Sequence, residues 1–232
     1  MIEYQFNHGV ARITLNSPAT GNRFTRQAML DFIAAIDQAQ TAEAAVLVIA
    51  AQGADFTFGR DQKERLPDVP LRQNLALILE ANAKLRAFSG VSIALVQGHA
   101  LGFGSGISLH STISLAAESA HFGFDEIDHN LAPLIVVAYL PHFISPRVAE
   151  DLVITGRHVP ADEAQRIGLV TRVVPDDALQ ATAEEIIAKI HQTPAAVRVI
   201  RRYTQHLPGY PSAELSLQAV EDLAFWVEQG KQ

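Results

Sequence analysis

Apolar and polar residues alternate over residues 2–6 and again through most of 10–15, with Asn7-His8-Gly9 between them. Period-two patterning on both sides of a short glycine-bearing turn predicts a β-hairpin. From Thr25 the period changes. Met29, Phe32, Ile33 and Ile36 recur at spacings of three and four, and Thr25 stands where an N-cap belongs, so a helix is expected. Residues 46–50 are almost uniformly apolar, as in a strand covered on both faces. Residues 61–71 are polar and carry two prolines, which predicts a loop; 75–88 returns to helical spacing. Residues 93–97 read as the next buried strand, 104–110 as a short helix and 113–116 as a further strand. Beyond Pro146 the pattern is helical except at 169–174, and Thr193-Pro194 separates two long helices. Strands alternating with helices predict an α/β fold with a mostly parallel sheet. The division expected is a core over residues 1–177 and a helical oligomerisation or lid region over 178–232.

Two glycine-bearing loops follow the buried strands. The first is Phe56-Thr57-Phe58-Gly59-Arg60-Asp61, and the second is Gly98-His99-Ala100-Leu101-Gly102-Phe103-Gly104-Ser105-Gly106. Neighbouring strand ends of this kind can aim two backbone N–H groups at one point, where they would bind an oxyanion.

Composition narrows the function. A hydrophobic fraction of 48% over 232 residues supports one large core. A net charge of −7 argues against nucleic acid as a partner. The absence of cysteine removes disulfides and thiol nucleophiles. None of the histidines has HxH or HExxH spacing, so no metal site is expected. The N-terminus lacks a basic and apolar leader pattern, and no apolar run reaches the roughly 18 residues of a spanning helix, which predicts a cytoplasmic chain without membrane contact.

Five motifs in order resemble those of the crotonase superfamily, which includes enoyl-CoA hydratases and isomerases. Residues 16–22 (NSPATGN) are similar to N-R-P-x-x-x-N, and 56–64 (FTFGRDQKE) to F-x-A-G-A-D-x-K-E. Residues 98–106 (GHALGFGSG) are similar to G-x-A-x-G-G-G-x-E, and 116–123 (AAESAHFG) to A-A-E-x-A-x-F-G. The fifth is 155–174 (TGRHVPADEAQRIGLVTRVV). The resemblance implies a spiral of ββα units with a C-terminal helical region, assembled as a homotrimer or homohexamer. It implies acyl-CoA thioester substrates, with coenzyme A part of the substrate and no separate cofactor. The enolate oxygen would be held by the backbone N–H groups of Arg60 and Phe103. Arg23, Phe58, Gly59, Asp61, Gly102 and Leu134 would line the substrate site.

The departures matter equally. Family hydratases use two glutamates; the first falls on Gly106, and the second on Glu126. One carboxylate can carry a proton between two carbons but orients water poorly, so the resemblance implies isomerisation before hydration. Phe58, Phe103 and Phe124 would desolvate Glu126 and raise its pKa. Phe103 replaces a glycine of the second loop, branched residues replace three glycines at 134–137, and Thr112 replaces a usual Asp. Two other readings stay open: a C–C hydrolase or decarboxylase recruiting His129 with Asp128 or Asp125, and a non-catalytic homologue that binds CoA or a partner. The Arg60 side chain is expected in solvent or at a CoA phosphate. The apolar stripe Leu215, Ala219, Leu223 and Trp226 could meet another subunit or its own core.

Overall fold

The computed structural model describes residues 2–204 and 213–229. β1 (Ile2–Asn7) and β2 (Val10–Leu15) form the opening hairpin, with Ile2 opposite Leu15 and Asn7 opposite Val10. Its turn holds His8 at φ +49° and Gly9 at φ +77°, consecutive positive values that match the twist of a tight hairpin. α1 (Arg26–Thr41) begins at Thr25, whose hydroxyl accepts the Ala28 N–H at 3.2 Å. That bond satisfies one of the orphan donors of the first turn. The periodic residues Met29, Phe32, Ile33 and Ile36 are all buried.

The chain continues through β3 (Val46–Ala51), α2 (Leu71–Ala87), β4 (Val91–Val96), β5 (His99–Leu101) and α3 (Phe103–His110). β6 (Ile113–Ala117), β7 (His121–Gly123), α4 (Leu134–Tyr139), α5 (Pro146–Thr155), β8 (Val159–Pro160) and α6 (Ala161–Ile167) follow. β9 (Arg172–Val174), α7 (Leu179–Gln192), α8 (Pro194–Thr204) and α9 (Ala213–Glu228) complete it. α2 starts at Leu71, four residues ahead of the position read from its apolar spacing, because Pro70 ends the loop directly before it.

Six strands form one sheet in the order β1-β2-β3-β4-β6-β9, parallel throughout except for β1. All six residues of β4 are buried, Ser92 among them, and its apolar run over residues 93–96 fits a strand covered on both faces. A second sheet, β5-β7-β8, lies beyond the end of β4. Its strands are two or three residues long, too short to carry a period, and the sequence pattern does not reveal them.

One continuous core runs from Val10 in β2 to Leu223 in α9. α7 contributes Leu179, Ala183, Ile187 and Ile190. α8 is tied down by Arg201, which donates from Nε to Gly90 O at 2.9 Å and from Nη2 to Phe88 O at 3.2 Å. In α9, Ala219 and Leu223 are buried in the chain's own fold. The side chains of Leu215 and Trp226 lie outside the described residues. Among the described residues no helix is long and apolar enough to cross a membrane.

Candidate active site

The first loop is built around Asn22. Its amide donates to Gln52 O at 2.9 Å and Asp55 O at 3.0 Å, and its Oδ1 accepts the Ser17 N–H at 2.8 Å. Thr57 Oγ1 donates to Asn22 O at 2.8 Å and accepts the Gly59 N–H at 3.0 Å. Beyond it the chain pairs with residue 24: Phe24 N–H donates to Gly59 O at 2.8 Å, and Asp61 N–H to Phe24 O at 3.0 Å. Successive backbone groups of extended chain point to opposite sides. With Gly59 O and Asp61 N committed to Phe24, the Arg60 N–H faces the other way.

The second loop runs beside the first. Thr57 N–H donates to His99 O at 2.9 Å, and Leu101 N–H donates to Thr57 O at 3.0 Å. The loops are thus joined beyond the large sheet, at the edge of the small one, rather than at the ends of β3 and β4. Gly102 then turns the chain into α3 at φ +50°, ψ −114°, a conformation only glycine adopts readily. Phe103 is the first residue of α3, so its N–H is among those with no carbonyl one turn back. A Cβ on Gly59, itself at φ +73°, would stand 2.7 Å from Leu101 O and 3.4 Å from Phe103 N. The backbones that carry the Arg60 and Phe103 N–H groups are therefore in contact.

Phe103 fits because the turn draws its positive φ from Gly102. Its ring inserts edge-on between Phe24 (5.0 Å between centroids) and Phe32 (6.1 Å). Ser105 secures the helix start: its Oγ lies 2.6 Å from Ala100 O and accepts the Gly123 N–H at 3.2 Å.

These loops wall a cavity of about 480 Å³, within the range of small-molecule sites. Arg23, Phe58, Gly59, Arg60, Asp61, Gly102, Phe103 and Glu126 all line it. Leu134 packs against the core instead, and the next two residues of α4, Ile135 and Val136, face the cavity. A single helical turn cannot present three successive side chains to one side. α2 contributes Leu71, Asn74, Leu75 and Ile78, and α9 closes over it with Leu223 and Val227.

Glu126 sits in a short 3₁₀ turn over Asp125–His129. Its Oε1 lies 3.0 Å from where a Cβ on Gly102 would be, and its buried Oε2 has no hydrogen-bond partner. Burial pushes the carboxyl up from 4.5 to about 7. The charge of Asp125 adds to the rise, and a backbone hydrogen bond opposes part of it.

A model of the enoyl-CoA hydratase/isomerase family matches residues 5–216. The chain belongs to this family. It is 34% identical over 194 residues to a protein of Mycobacterium tuberculosis named probable enoyl-CoA hydratase, covering 78% of this chain and 68% of that one. It is 28% identical over 218 residues to the 2,3-dehydroadipyl-CoA hydratase of Escherichia coli, covering 90% and 82%. A solved structure from Mycobacterium thermoresistibile, titled a probable enoyl-CoA hydratase, superposes with a TM-score of 0.86 at 26% identity, over 99% of this chain and 97% of that one. The architecture is accordingly the crotonase fold.

Several side chains take partners that the sequence pattern does not display. The Arg60 guanidinium lines the cavity and is partly buried. It donates from Nη2 to Asn74 Oδ1 at 2.9 Å, its Nη1 is buried without a partner, and burial lowers its pKa. Arg23 clamps the first loop, donating to Phe58 O at 3.0 Å with its guanidinium over the Phe58 ring. Asp61 Oδ1 accepts the Lys63 N–H at 2.9 Å. Thr112 exchanges hydrogen bonds with Ser92 in place of the usual acid. His129 Nε2 lies 3.9 Å from Asp125 Oδ2, while Asp128 is turned toward Gly156. Any His–Asp pair at this cavity is therefore His129 with Asp125.

The sequence reading overlooked Asn82 and Tyr139. A Cβ on Gly106 would stand 3.2 Å from Tyr139 Oη and 3.8 Å from Asn82 Oδ1. The signal available was Asn82 itself, a polar residue on the buried stripe Leu77, Ala81 and Leu85 of α2. Tyr139 is buried; desolvation and the Glu126 charge raise its pKa, so its hydroxyl keeps its proton. Its ring packs edge-on against His110 at 4.7 Å. Arg86 Nη1 lies 3.3 Å from His110 Nδ1. A guanidinium can only donate, so Nδ1 accepts and the proton sits on Nε2. Burial and the Arg86 charge hold this imidazole neutral.

Proposed function

We propose that the chain is an enzyme that acts on acyl-CoA thioesters through an enolate. The thioester oxygen accepts hydrogen bonds from the backbone N–H groups of Arg60 and Phe103. Glu126 moves a proton between two carbons of the acyl chain. The observation that carries this reading is the joining of the two loops, which leaves both N–H groups free of strand and helix partners beside Glu126. A carboxyl at about 7 is well matched to taking and returning a proton near neutral pH. Removing one donor from such a hole typically costs roughly 2.7–4 kcal/mol of transition-state stabilisation.

Double-bond isomerisation is favoured over hydration because Gly106 supplies no second carboxylate. Arg23 and Phe58 form the wall along which the pantetheine arm lies, and residues 178–232 form the cover and subunit contacts of a homotrimer or homohexamer. The test is conversion of a 3-enoyl-CoA to its 2-enoyl isomer by the wild type and by Glu126→Gln. Loss of about 10²–10⁴-fold in kcat is expected. Equal activity of the variant removes Glu126 from the mechanism, and hydration of crotonyl-CoA at a comparable rate removes the preference for isomerisation.

A further inference from the structure

The side chain of Arg60 reaches the part of the cavity that α2 lines. Leu71, Asn74, Leu75 and Ile78 all line it, and their spacing of three and four puts them on one side of the helix. All but Asn74 are apolar, and Leu223 and Val227 of α9 line the cavity with them. Into this lining Arg60 brings a guanidinium, whose Nη2 donates to Asn74 Oδ1 at 2.9 Å. The same residue carries one of the two N–H groups proposed to hold the thioester oxygen. An acyl chain that runs from that oxygen along the arginine stem therefore ends beside the guanidinium.

The charge of this group is poorly answered. Its Nη1 is buried without a hydrogen-bond partner, and among the described residues its side-chain partner is a neutral amide. The charges of Glu64 and Asp61 act on it, but both carboxylates accept elsewhere. Glu64 Oε2 takes the Arg26 N–H at 2.8 Å, and Asp61 Oδ1 takes the Lys63 N–H at 2.9 Å. Arg26 adds a second positive charge nearby, and its own Nη1 is also buried without a partner. Arg23 and Arg65, which line the cavity too, donate to backbone carbonyls instead. A buried charged donor left unpaired costs more than a neutral one. A planar guanidinium with donors to spare is matched by a carboxylate, which accepts from two of its nitrogens at once. An apolar chain end would leave it unpaired.

We infer that the cavity selects acyl chains that end in a carboxylate, and that Arg60 pairs with that end on the α2 side. The guanidinium turns on its flexible stem to present two nitrogens to the incoming carboxylate, which replaces the weaker amide acceptor of Asn74. This rests on the acyl-CoA reading above but not on isomerisation. It makes the monothioesters of short dicarboxylic acids the ligands of this chain. One residue then serves both ends of the ligand: its backbone N–H meets the thioester oxygen, and its side chain meets the far charge.

The experiment is calorimetric titration of the full chain with pairs of thioesters of equal length: succinyl- and butyryl-CoA, glutaryl- and pentanoyl-CoA, adipyl- and hexanoyl-CoA. In at least one pair the diacid thioester is expected to bind about tenfold or more tightly, the worth of a charge-assisted pair. Its methyl ester, which keeps the chain and loses the charge, is expected to bind no more tightly than the monoacid thioester. In Arg60→Met, which keeps a stem and the backbone N–H, the preference is expected to disappear. The ester comparison uses the wild type alone, so it decides the matter even where the variant does not fold. Equal binding within every pair, or a preference that the ester shares or that survives in Arg60→Met, overturns the carboxylate site while leaving the acyl-CoA reading standing. Equal weakening of diacid and monoacid thioesters in Arg60→Met assigns the guanidinium to the phosphates of coenzyme A and also overturns it. Failure of every thioester to bind the wild type overturns both.

Discussion

Glu126 has a consequence for stability that can be measured without any substrate. Its carboxyl titrates at 4.5 in an unfolded reference and at about 7 in the folded protein. Each pH unit of such a difference is worth about 1.4 kcal/mol, so the folded state disfavours the charged form by about 3 kcal/mol. The sign follows from linkage. Between 4.5 and about 7 the folded protein holds a proton that the unfolded chain releases. Folding stability due to this group is therefore fully present below 4.5, falls as pH rises, and reaches its minimum above about 7. Glu126→Gln keeps the shape and removes the charge. Relative to wild type, the variant is expected to gain stability progressively from pH 4.5 to 7.5, to a plateau of about 3 kcal/mol. Urea unfolding at half-unit pH steps, with both proteins in the same buffers, reads this difference directly, and the pH dependences of all other groups cancel in it. A difference that is flat within about 0.5 kcal/mol across the range would refute the buried, unpartnered Oε2 on which the mechanism depends.

Two other substitutions test the scaffold. Thr25→Ala removes the hydroxyl that caps α1; a loss of about 1 kcal/mol is expected, read as a fall of about 2–4 °C in Tm. Gly102→Ala forces a side chain onto φ +50°, ψ −114° and against the Glu126 carboxylate. It is expected to cost about 1–3 kcal/mol in urea unfolding and to abolish thioester turnover; a variant with wild-type values for both would show that the turn is not constrained as described.

What could be read from the sequence divides by the range of the physics involved. The hairpin and α1 are legible because their periods extend over five residues or more, and the buried strands because their residues are almost all apolar. β5, β7 and β8 are not, since two or three residues cannot display a period and their pairing is decided by distant segments. The two glycine loops are legible as loops, and by resemblance as a pair, but the bonds of Asn22 and Thr57 that hold them together cross between motifs. The Arg60 partner is not legible because Asn74 lies in the first turn of α2, ahead of the helix's apolar spacing. Leu134 shows the limit of reading along a segment: the side of a short helix that meets the cavity is set by packing. Tyr139 and Asn82 come together only through the approach of α4 and α2 to a glycine on α3, an encounter that no local pattern encodes.

Phe103 joins two jobs that a glycine at the same place would keep apart. Its backbone stands at the turn into α3, while its ring is clamped by Phe24 and by Phe32 of α1. The loop is thereby riveted to the first helix, and the position of its N–H is referenced to the hydrophobic interior rather than to solvent. Repacking in α1, outside the cavity lining, becomes a way of moving this atom, at the cost of the packing that the fully buried Phe32 gives the core. Engineers adjusting the geometry of the turn would therefore work from the helix side, leaving every cavity residue untouched.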